Sequence, residues 1–118
     1  RRQLATALRK GPYQCDLLIG GFDHMLEGST ARSVPALYYI DYLASMNRLD
    51  FGVHGYGSNF ILGILDKYYK PGMTLEEALQ LLRICISELK TRFIIKAPLF
   101  TIKVVDRDGV RTLESLTV

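Results

Sequence analysis

Cysteine and histidine are scarce in this 118-residue chain, with two of each. Cys15 and Cys85 have no second Cys or His at metal-ligand spacing, so no zinc or dithiol motif is present and buried free thiols are the simpler reading. No metal or organic cofactor is expected. Long apolar runs are missing too: nothing approaches the roughly 18 residues that cross a bilayer, and the opening residues match neither a signal peptide nor a transit peptide. The sequence points to no membrane. Runs of one charge are also absent, because 15 basic residues are scattered among 12 acidic ones for a formal net charge of +3. Such a mild, dispersed balance predicts no nucleic-acid partner.

What is present is ordinary for one globular domain: 48 % hydrophobic and 23 % charged residues. The opening stretch RRQLATALRKGPY lacks an initiator Met and shows helical spacing at Leu4, Ala7 and Leu8, with a stop at Gly11 and Pro12. The chain is therefore expected to begin inside a helix, as the later part of a longer protein. YQCDLLIGGFD reads as a strand, HMLEGSTARSVPA as a long irregular connection, and ALYYIDYLA as a second, antiparallel strand. NRLDFGVHGYG reads as a third.

Two helices follow, broken at Lys70, Pro71 and Gly72. The first places Ile61, Ile64, Leu65 and Tyr68 on one stripe. The second opens with a capping box, Thr74 and Glu77, and repeats Leu75, Ala78, Leu82, Cys85, Ile86 and Leu89 at helical spacing, with Glu76, Arg83 and Lys90 outside. After the link FIIKAPL, an Asp-Gly turn at Asp108 and Gly109 joins two last strands. Helix, three strands, two helices and two strands do not alternate as a doubly wound parallel sheet does. The fold class predicted is α+β, mostly antiparallel, with helices stacked on the sheet.

The stretch GYGSNF, residues 55–60, carries the sharpest chemical question. As a dinucleotide fingerprint it lacks the third glycine, since Phe60 stands there, and as a P-loop it lacks Gly-Lys-Ser/Thr. Ser58 is not set in Gly-x-Ser-x-Gly, so a hydrolase elbow fails as well, and the serine reads as a helix cap. His54 reads as a satisfied core or interface histidine, and Asp41, among strand apolars, needs either solvent or a donor. Tyr38, Tyr39, Tyr42, Tyr56, Tyr68 and Tyr69 gather around the meander and the first long helix, where an amphipathic ring suits a wet-edged interface as well as a core. Adjacent Tyr38 and Tyr39 cannot share a sheet face.

ALYYIDYLA, HGYGSNFILGILDKYYKPGMTLEEALQLL and FTIKVVDRDGVR, in this order and spacing, resemble the second half of a beta-type subunit of the eukaryotic 20S proteasome. Within that family the likeness is to a non-catalytic ring member. The resemblance implies part of a four-layer α-β-β-α sandwich of the N-terminal-nucleophile hydrolase class, with antiparallel sheets and two packed helices, residues 1–118 being the C-terminal portion of a single domain. Catalytic members use an N-terminal threonine whose α-amino group is the base, and here the first residue is Arg1. Where active members read Gly-Ser-Gly-Ser this chain has Tyr56, and where they carry Asp-x-x-Ser-Gly-Gly it places Phe93 and Lys96.

The resemblance therefore implies a structural subunit of the 20S core, in cytoplasm and nucleus. Its neighbours would be other beta and alpha subunits, polypeptide substrates passing through the shared chamber. Tyr38, Tyr56, Ser58, Tyr68 and Tyr69 are the candidate subunit-interface residues. Two other readings stand beside it: an active hydrolase of the same class whose nucleophile lies in an N-terminal half absent here, and an independent α+β domain that binds an anion at the Gly55–Ser58 turn.

Overall fold

From Leu17 to Ile40 the chain forms one long antiparallel hairpin in the computed structural model. The model describes residues 1–28, 30–92 and 99–116. These fall into two compact units, Arg1–His54 with Val105–Val110, and Gly55–Val104 with Arg111–Val118.

The first unit opens with helix α1, Arg2–Ala7, which ends ahead of Gly11 and Pro12 as its sequence predicts. Strand β1, Leu17–Glu27, pairs with β2, Thr30–Ile40, and β2 pairs with β3, Met46–Leu49, giving the order β1-β2-β3. The meander is as expected, but its boundaries move. Residues 24–27 and 30–36 are strand where a long connection was expected, and Gly28 follows β1 at φ 65. Proline at position 35 argues against a central strand, since it cannot donate to the ladder. The geometry removes the objection: the Pro35 carbonyl accepts from Arg48 Nη2 at 3.3 Å, and N and O of one strand residue point the same way. The missing N–H therefore faces the side of β2 that β3, whose pairing stops at Leu37, does not reach.

The second strand ends at Ile40, and the third spans only four residues, so Asp41 and His54 both lie outside strands. Register sets the faces. Ile19, Tyr38 and Arg48 share one, and Leu18, Tyr39 and Leu49 lie on the other. Segment 50–54 crosses this second face: a Cβ on Gly52 would stand 3.1 Å from Leu18 and 3.3 Å from Tyr39. Among the residues of this unit whose burial is described, Ala36, Ile40 and Ala44 are buried.

The second unit holds α2, Ser58–Tyr68, and α3, Leu75–Arg92, which pack on each other. The capping box forms in both directions: Thr74 N donates to Glu77 Oε2 at 2.9 Å, and Glu77 N to Thr74 Oγ1 at 3.3 Å. The buried stripe is narrower than expected. Ile61 and Leu65 are buried on α2 while Tyr68 is exposed; on α3 the buried residues are Leu81, Cys85 and Ile86, whereas Leu75 and Leu82 are exposed. Both Leu81 and Leu82 stand near a helical multiple from Ala78 and Cys85, so periodicity alone does not choose between them.

Strands β4, Lys103–Asp106, and β5, Gly109–Thr112, form the final hairpin. Its turn is one residue earlier than predicted: Arg107 and Asp108 make it, Asp108 N donates to Asp106 Oδ1, and Gly109 opens β5 at φ 120. The stretch 93–98, with Phe93 and Lys96, lies outside the described residues. Among the described residues no helix is long and apolar enough to cross a membrane, and no group of three His, Cys, Asp or Glu could hold a metal ion.

Candidate assembly surface

Ahead of α2, Gly55 and Gly57 adopt φ 97 and 82, a region in which a Cβ is strained. That pair lets the chain reverse into the helix. Ser58 N donates to Gly55 O at 3.2 Å, and Phe60 N and Ile61 N both donate to Gly57 O at 3.1 Å. These bonds tie the turn to the first turn of α2. Ser58 is not the cap its type suggests: Gly57 is the N-cap, with no side-chain cap bond, and Ser58 is the first helical residue.

Tyr56, between the two glycines, is 82 % exposed, the most among the large hydrophobic side chains described. At the far end of α2, Tyr68 is exposed with Lys67 Nζ 5.1 Å from its ring centroid, and half-buried Tyr69 caps the helix, its N–H donating to Leu65 O at 2.8 Å. The eleven residues of α2 at 1.5 Å each put Ser58 and the Tyr68–Tyr69 pair about 16 Å apart along the axis. They are two ends of one surface and not one cluster. Between them runs an open groove of about 410 Å³ along both helices, with Phe60, Gly63, Ile64 and Ile84 in its lining. Arg92 closes one side, its guanidinium 4.6 Å from the Phe60 ring centroid and its Nε 3.3 Å from Glu88 Oε2.

Tyr38 belongs to the first unit. It is half-buried on the sheet, and its hydroxyl donates to Asp23 Oδ2 at 2.5 Å. That bond, which the phenol proton must supply, holds its pKa above the usual tyrosine value, with desolvation and the Asp23 charge adding and Arg48 opposing. Tyr39, on the opposite face as expected, stacks on His54 with ring centroids 4.0 Å apart. His54 Nε2 lies 2.9 Å from Leu17 O, a contact that requires the proton on Nε2. The imidazole is a clasp over the sheet, with its donor engaged.

The sequence reading missed the turn between β2 and β3. Asp41 Oδ1 accepts from Leu43 N at 2.9 Å and Ser45 N at 3.0 Å, and Asp16 Oδ1 accepts from Tyr42 N at 3.0 Å. Ala44 N donates to Asp41 O and Asp41 N to Ser45 O, so every amide from Asp41 to Ser45 has a partner. Ala44 is buried at φ 60, the one non-glycine with positive φ among the described residues, a conformation costing an L-residue roughly 1–2 kcal/mol. The available signal was Asp41 itself, since an Asp side chain can accept from backbone amides a few residues on. YYIDYLA conceals it by its strand-like composition.

Residues 1–105 match the family model described as Proteasome subunit. The chain is 44 % identical over 111 residues to proteasome subunit beta type-2-A of Arabidopsis thaliana, covering 94 % of this chain and 51 % of the relative. It is 42 % identical over 114 residues to proteasome subunit beta type-2 of Dictyostelium discoideum, with 96 % and 54 % covered. Against proteasome subunit beta type-4 of Saccharomyces cerevisiae the identity is 39 % over 115 residues, with 97 % and 55 % covered. The chain thus spans about half the length of these relatives.

Proposed function

The chain belongs to the proteasome subunit family, and on that footing we propose that the protein is a non-catalytic structural subunit of the 20S core, helping to build a beta ring and the chamber it encloses. The family match over residues 1–105, with relatives named beta type-2, carries this reading. In it the chain supplies part of a four-layer α-β-β-α sandwich of the N-terminal-nucleophile hydrolase class. The neighbours are other beta chains and stacked alpha chains, and polypeptides are degraded in the shared chamber by other subunits.

Absence of catalysis in this chain is supported by three side chains. Tyr56 occupies the place where the resemblance to active members calls for a serine, and Phe93 and Lys96 replace the aspartate and serine of the second motif. A bulky ring cannot orient an amine, and a lysine supplies no hydroxyl. The Gly55–Ser58 joint then serves packing and contact, with Tyr56 and Tyr68 as the aromatic anchors that subunit interfaces favour.

Two measurements test the reading on the full-length protein in a gentle extract. Native mass with identification of co-purifying chains is expected to place it in a large particle with other proteasome chains; a free monomer or simple homo-oligomer overturns the proposal. An electrophilic probe for N-terminal threonines is expected to label other beta chains of that particle and to leave this one unlabelled. Tyr56→Ala combined with Tyr68→Ala should lower incorporation several-fold, and normal incorporation would remove the α2 surface from the interface.

A further inference from the structure

We draw no further inference here: the strongest candidate, the open groove along α2 and α3 lined by Phe60, Ile64, Tyr68 and Ile84, carries none, because the chain spans about half the length of its relatives and nothing in the structure shows what covers that groove.

Discussion

The α2–α3 pair buries Ile61 and Leu65 from one helix and Leu81, Cys85 and Ile86 from the other, whereas β1 exposes Leu17, Leu18 and Ile19 in succession. Leu18 lies on one face of the sheet, and Leu17 and Ile19 on the other. Helices with an apolar stripe hide it by pairing, one face against one face. Strands that are apolar at consecutive positions need cover on both faces. The comparison separates a region whose core closes locally from one whose apolar surface invites a further layer, and this is why the proposed assembly contacts involve exposed aromatics and not more of the helical core.

Substitutions can break or sharpen that contrast. Leu81→Ala should destabilise the fold by about 2–5 kcal/mol, as other buried leucine truncations do, while Leu82→Ala, at an exposed neighbour, should cost under about 1 kcal/mol. Equal costs in urea denaturation would show that the α3 stripe is assigned to the wrong face. Thiol alkylation should modify half-buried Cys15 at least about tenfold faster than buried Cys85, whose pKa burial holds above the usual thiol value of 9.0. The sign follows: Cys85 keeps its proton longer folded than unfolded, so its stabilising contribution is complete below the ordinary value and is lost as pH rises through the raised one. A labelling order of Cys85 first would place α3 among the loosely closed parts of the molecule.

Thr74→Ala removes one arm of the capping box and should cost about 1 kcal/mol; thermal melts that do not move would mean another group caps α3. The smallest effect belongs to Glu76→Gln. Its 3.9 Å pairing with Arg83 is solvent-exposed on both sides, so the change should be a few tenths of a kcal/mol and should shrink further with added salt. A larger loss would reveal a role for Glu76 beyond the exposed pair.

Much of the helical region was legible because its signals are local. Thr74 and Glu77 are three residues apart and cap each other with no help from the rest of the chain, and Pro71 and Gly72 break the helix wherever it packs. The strands were less legible. Residues 24–36 read as a loop because Pro35, Ser33 and Gly28 are turn residues by type, and it is the continuous pairing of 17–27 with 30–40, with Arg48 reaching the Pro35 carbonyl, that makes 24–27 and 30–36 strand. In the candidate surface, the exposure of Tyr56 between two positive-φ glycines follows from its neighbours in sequence. That Tyr38 spends its hydroxyl on Asp23, fifteen residues away, does not.

The sequence by itself determined the order of elements, the α3 cap, the opposite faces of Tyr38 and Tyr39 and the likeness to proteasome beta chains, since each depends on residue type at short spacing. Tertiary structure alone decided the strand limits, the choice of Leu81 over Leu82 for burial, the clasp of His54 on Tyr39, and the pinned Asp41–Ser45 turn. The physical reason is that the first three are settled by partners distant along the chain, and the turn by Asp16 and Arg1 as well as by its own Asp41; sequence spacing carries no record of which distant groups meet.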